Sequence, residues 1–136
     1  MWWFTIYGFF STSVDKSGRV FIRARSRQHL ENLKKRFGLD NRIQRTPDRD
    51  YLYRIDVSKA MWTGMAAQLA NEQTWDSFKD AAKRGECDVA YVTALHKVWG
   101  IMHRYQYRVE PVRGEHQRGV IEIQRQLNIL PRGKKK

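Results

Sequence analysis

The chain has 136 residues, 41% of them apolar and five of them Trp. That is enough apolar side chain for one self-sufficient core, which excludes a disordered chain and a disulfide-stapled miniprotein. With 26 Lys and Arg against 14 Asp and Glu the formal net charge is +12, so polyanions are the expected partners, nucleic acid ahead of acidic membrane or protein surfaces.

The first element is the run Trp2 to Phe10, apolar or aromatic at every position but Thr5 and Gly8. Aromatic and β-branched composition predicts a strand, and its length predicts one crossing the full width of a sheet. As a single strand it carries Trp2, Phe4, Ile6 and Phe10 on one face and Trp3, Tyr7 and Phe9 on the other. The run is shorter than the ~20 residues that span a bilayer, and it lacks a basic flank and a small-residue cleavage site. A cytoplasmic protein with no membrane partner is expected.

A polar loop from Ser11 to Gly18 follows, ending in a Ser17-Gly18 turn signal. Arg19 to Arg25 alternates as a second strand, with Val20, Ile22 and Ala24 on one side and Arg19, Phe21, Arg23 and Arg25 on the other. Ser26 is placed to cap a helix ending at Phe37, with Leu30, Leu33 and Phe37 on its inner face and Gly38 just past its end. A short third strand is expected over Arg42 to Arg45, a turn over Thr46 to Asp50, and a fourth strand over Tyr51 to Val57. In that strand Tyr51, Tyr53, Ile55 and Val57 share one face and Leu52, Arg54 and Asp56 the other. Ser58 caps a second helix to about Asn71, buried through Met61, Trp62, Met65 and Leu69.

A short helix from Thr74 or Trp75 to Gly85 and a long amphipathic one from Asp88 to Tyr105 complete this part, the latter on a stripe of Val92, Leu95, Trp99 and Met102. The expected fold is therefore α+β: a four-stranded antiparallel sheet in ββαββα order with helices on one face, over residues 1–106. Residues 107–136 read as a basic C-terminal arm, with strands over 107–112 and 120–124 and the polybasic end Arg132, Lys134, Lys135 and Lys136. Charge sits at the two ends: residues 1–40 and residues 107–136 each hold eight basic against three acidic side chains.

Residues 1–106 resemble a family of small bacterial proteins. The likeness rests on Trp3-Phe4-Thr5 with Gly8-Phe9-Phe10-Ser11, on Arg23-Ala24-Arg25, on Asp50-Tyr51 with Tyr53-Arg54-Ile55, on Phe78-Lys79, and on His96-Lys97-Val98-Trp99. The resemblance implies one compact domain and no particular activity. The arm and the strong basicity are additions to the shared pattern.

The sharpest functional expectation is the outer face of the sheet. It offers Arg19, Phe21, Arg23 and Arg25 from the second strand, Arg54 from the fourth, and Trp3, Tyr7 and Phe9 from the first. Guanidinium groups for phosphates, interleaved with rings for bases, are the equipment of single-strand-binding sheets. The competing expectation is that the arm covers this face as a second core. Arg132, Lys134, Lys135 and Lys136 are candidates for sequence-independent phosphate contacts.

Other chemistry is thinly supported. His96 and His103 are seven apart on one helix, about 10 Å along its axis, too far for one zinc ion. Asp48 and Asp50 sit where turns favour Asp for local hydrogen bonds. Cys87 is the only cysteine; it has no internal disulfide partner and no evident base, which suits a reducing compartment. No phosphate loop, nucleophile elbow or paired-cysteine spacing is present. The expected function is a non-enzymatic, cofactor-free module for RNA or single-stranded DNA. The alternative is a protein-interaction module, such as a phage or mobile-element inhibitor or accessory subunit, pairing with a partner or with itself through the aromatic face or the arm.

Overall fold

The computed structural model describes residues 1–109. The fold is α+β with one antiparallel sheet of five strands, not four, and four helices among the described residues. The strands are β1 (Trp2–Thr5), β2 (Gly8–Val14), β3 (Val20–Ala24), β4 (Gln44–Arg45) and β5 (Tyr53–Val57), in spatial order β1-β2-β3-β5-β4. The helices are α1 (Arg27–Phe37), α2 (Lys59–Asn71), α3 (Phe78–Arg84) and α4 (Val89–Val109).

The extra strand comes from the N-terminal aromatic run. Trp2 to Phe10 is not one strand but a hairpin, with Thr5 opposite Gly8 and a turn made by Ile6 and Tyr7. The second arm, β2, then continues through Ser11, Thr12 and Ser13, which composition alone assigns to a loop. These hydroxyl residues suit a strand because its neighbours cover them: Ser11 and Thr12 are buried between β1 and β3. The expected turn before β3 forms, with the Asp15 carboxylate accepting from the Ser17 and Arg19 amides and from the Ser17 hydroxyl.

One face of the sheet carries Phe10, Val20, Ile22, Ala24, Ile55 and Val57, all buried. Leu30 and Leu33 of α1 and Met65 of α2 close over them. Gly38 ends α1 in the left-handed region at φ 62°, its amide bonded to the Lys34 carbonyl. The Ser58 hydroxyl caps α2 by accepting from the Met61 amide at 3.1 Å. Ser26 stands at the N-cap position of α1, but its side chain makes no capping bond.

A second cluster joins Ala82 of α3 to Tyr91 and Leu95 of α4, with Phe9, Phe78 and Cys87 packed against it. It is tied to the tip of the β1–β2 hairpin: the Tyr91 hydroxyl donates to the Thr5 carbonyl at 3.0 Å, and the Cys87 thiol to the Ile6 carbonyl at 3.1 Å. The chain divides into two compact units within α4, after His96. Tyr107 to Val109, expected to open a strand, are the last residues of α4. The rest of the expected arm lies outside the described residues. No helix among the described residues is long and apolar enough to cross a membrane.

Buried His29 of α1 has a pH consequence. Its ring lies 4.9 Å from that of Tyr91, its Nδ1 accepts weakly from the Phe9 amide, and its Nε2 has no partner. Burial lowers its pKa below the ordinary 6.5, against a weaker opposing pull from the Asp88 charge. Above pH 6.5 the ring is neutral in folded and unfolded chains alike. Below it the unfolded chain takes up the proton first, so stability falls with pH by at most about 1.4 kcal/mol per unit. Urea unfolding at pH 7.5 and pH 5.5 should show this loss, and His29→Gln should flatten it.

Candidate functional site

The face opposite α1 and α2 is built from the alternate residues of the same strands. Register puts Trp2 opposite Ser11, Phe4 opposite Phe9, Ser13 opposite Phe21, Ser11 opposite Arg23, Phe21 opposite Asp56 and Arg23 opposite Arg54. Side chains of directly opposed residues share a face. Phe21, Arg23 and Arg54 therefore stand side by side near the centre of the sheet. Arg19 and Arg25 flank them at the two ends of β3.

Each arginine is held by specific partners. Arg19 pairs with Asp56 on β5. The Arg23 Nη2 donates to the Ser11 hydroxyl at 2.8 Å. Arg25 donates to the Asp50 carbonyl oxygen at 2.9 Å and reaches its carboxylate at 3.4 Å. The Arg54 Nε donates to the Thr46 hydroxyl at 3.2 Å. Rings support three of them: Arg23 and Arg25 lie over Tyr51, at 4.9 and 4.6 Å from its centroid, and Arg54 lies over Phe21 at 5.9 Å. Such cation–π contacts fix guanidinium planes at about 0.5–1 kcal/mol each near a surface.

Tyr51 is the residue that sequence reasoning misplaced. Counted as part of a strand from 51 to 57 it shares the inner face with Tyr53. The strand begins only at Tyr53, and the preceding bend turns the Tyr51 ring to the arginine side. There it is buried, with Phe9 6.3 Å away. Its signal in the sequence is position: it ends the Pro-Asp turn and precedes a strand that starts later than its composition suggests.

Trp3 and Tyr7 do not belong to this face. The two-residue turn at Ile6 and Tyr7 breaks the alternation that would have carried them there. Trp3 is opposite Phe10 on the helix side, with its ring 5.2 Å from Trp62 of α2. Tyr7 is in the turn, where its hydroxyl donates to Glu72 at 2.9 Å; burial is the first cause that raises its pKa. Glu72 also pairs with Arg36. The rings that β1 and β2 do bring to the arginine side are Trp2, Phe4 and Phe9, with Phe4 stacked on Phe9 at 4.8 Å. Trp2 is 68% exposed and Phe4 37%. Arg132, Lys134, Lys135 and Lys136 lie outside the described residues.

Arg54 stands in a positive field. Its pKa is lowered, first by burial, then by the charges of Arg49 and Arg23. Among the described residues, no three His, Cys, Asp or Glu side chains gather where a metal ion would sit. Burial, with help from Asp88 and Glu86, pushes the Cys87 thiol up to about 11, so at neutral pH it is not a thiolate nucleophile. Asp50 and Asp56 are engaged by Arg25 and Arg19. What the face can do chemically is present positive, ring-backed hydrogen-bond donors to an anion. Compared with models of protein families, with curated proteins and with solved structures, the chain matches none of them.

Proposed function

We propose that this protein is a non-catalytic binding module for single-stranded nucleic acid, RNA or single-stranded DNA, and that the strand lies along the arginine side of the sheet. One observation carries the reading: Arg19, Arg23, Arg25 and Arg54 share a face with Phe21 and Tyr51, away from α1 and α2. Guanidinium forks match phosphate oxygens bidentately. Accessible rings such as Phe4 and Trp2 offer bases a stacking surface worth roughly 1–3 kcal/mol per base. The basic C-terminal residues Arg132, Lys134, Lys135 and Lys136 would add contacts that ignore sequence.

The test is fluorescence anisotropy with labelled 15-nucleotide RNA, single-stranded DNA and duplex DNA at about 50 and 200 mM salt. Single strands should bind more tightly than duplex, and affinity should drop more than tenfold across that salt range, as several phosphate contacts require. Absence of binding to all three at the lower salt overturns the reading.

A protein partner is the second reading, favoured by the sheet edge. β1 pairs only with β2 among the described residues, and it displays Trp2 and Phe4 outward. An exposed edge with large apolar side chains can accept a strand from a partner or a second copy. A self-association or complex that survives nuclease treatment and is lost in Trp2→Ser would support this reading over the first.

A further inference from the structure

The five arginines around this face are not equivalent, and the difference locates an anion. Arg19 and Arg25 have carboxylate partners in Asp56 and Asp50. Arg23, Arg54 and Arg49 have no carboxylate partner among the described residues. Arg23 and Arg54 are directly opposed across β3 and β5, so their backbones are about 5 Å apart. Like charges directly opposite one another destabilise a sheet. Here that cost falls in the middle of the sheet, where Arg23 and Arg54 are only partly exposed. A local rule broken without compensation inside the chain is the mark of a site made for something outside it.

The donors are also arranged to have capacity left. A guanidinium carries five N–H groups. Arg54 commits its Nε to Thr46, which leaves both terminal nitrogens uncommitted. Arg23 commits Nε and one Nη2 proton to Ser11, which leaves Nη1. Phe21 and Tyr51 back the two groups and limit their swing. Arg49, on the turn leading to β5, is close enough to act electrostatically on Arg54.

We infer that Arg23 and Arg54, with Arg49 beside them, form a single phosphate-holding position at the centre of the sheet, while Arg19 and Arg25 are auxiliary. The phosphate neutralises the opposed pair and takes the N–H groups they have not spent. The same chemistry fits a backbone phosphate of a nucleic acid or the phosphate of a free compound. Only the first source rests on the proposed function.

Titration with pyrophosphate and with a 15-nucleotide single strand separates these cases, followed by calorimetry and by melting temperature. Wild type should bind pyrophosphate and melt higher in its presence. Arg23→Gln and Arg54→Gln should each weaken pyrophosphate at least tenfold, Arg49→Gln severalfold, and Arg25→Gln less than twofold. Without ligand, Arg54→Gln should melt no lower than wild type, since it removes a repulsion. Arg54→Lys serves as a second variant that keeps the charge but loses the fork, and it should also bind weakly. Pyrophosphate binding that is absent, or unchanged in Arg23→Gln/Arg54→Gln, overturns the inference. Should the single strand still bind that double variant as wild type, the anchor fails while the nucleic-acid reading survives. Should pyrophosphate bind and the single strand not, the anchor holds and serves a free phosphate compound.

Discussion

Gly8→Ala is expected to destabilise the fold by about 3 kcal/mol or more. Two separate costs add. Gly8 has φ 141°, a region almost closed to residues with a Cβ, and occupying it costs of order 1–3 kcal/mol. A Cβ there would also meet the His29 ring, 2.4 Å from Cγ and 2.7 Å from Cδ2. His29 has little room to yield, because Phe10 and Tyr91 contact its ring. Its own Cβ, 2.6 Å from the new atom, moves only with α1. Against the 5–15 kcal/mol that a domain usually has in hand, this is a large fraction, and a fall in Tm of roughly 10–15 °C follows. Gly64→Ala in α2 is the matched control. Nothing lies within 4 Å of the added atom, and Ala is the better helix former, so it should be neutral or stabilising. Circular dichroism melts of the two variants check this, and a loss below about 1 kcal/mol for Gly8→Ala would contradict the account.

Gly8 also marks where the sequence is hardest to read. Hairpin turns usually announce themselves with Asn-Gly or Asp-Gly. Here the turn is Ile6 and Tyr7, which look like strand residues because each serves the packing. Tyr7 joins the core and bonds Glu72 through its hydroxyl, and the Ile6 carbonyl accepts the Cys87 thiol. Those partners are 65 and 81 residues away, so nothing local betrays the turn. From the missed turn the other differences follow: five strands instead of four, and Trp3 and Tyr7 moved off the arginine side.

β3 was legible for the opposite reason. Its alternation of Val20, Ile22 and Ala24 with Phe21 and Arg23 is strict, and a slip of one residue would bury arginines. The placement of Arg19, Phe21, Arg23 and Arg25 on one side follows from that pattern alone, and Arg54 follows from Ile55 and Val57. α1 was equally clear, because Gly38 and the Leu30 and Leu33 spacing fix its end and its inner face. Tyr51 was not, because a bend outside any strand obeys no parity.

Removing the four arginines together should have the largest effect on binding. In the variant Arg19→Gln, Arg23→Gln, Arg25→Gln, Arg54→Gln, the slope of log affinity against log salt should become shallower by about 0.7 per lost phosphate contact on a single strand, about 3 in all. Extrapolated to 0.1 M salt, that is a loss of between two and three orders of magnitude. The substitutions leave the inner face, where Ile22, Ile55 and Val57 pack, untouched. They also abolish the Arg19–Asp56 and Arg25–Asp50 pairs, which as exposed pairs contribute little to stability. Melting should therefore shift by a few degrees at most, and loss of binding with the fold intact isolates the face. The converse variant, Lys134→Gln, Lys135→Gln, Lys136→Gln, removes the same kind of charge from the C-terminal end. If the sheet is the surface that holds the strand, this second variant should lower affinity without weakening the preference for single strands over duplex. If instead the C-terminal lysines carry the slope and the four sheet arginines do not, binding is a property of the charged end, and the proposed role of the sheet is wrong.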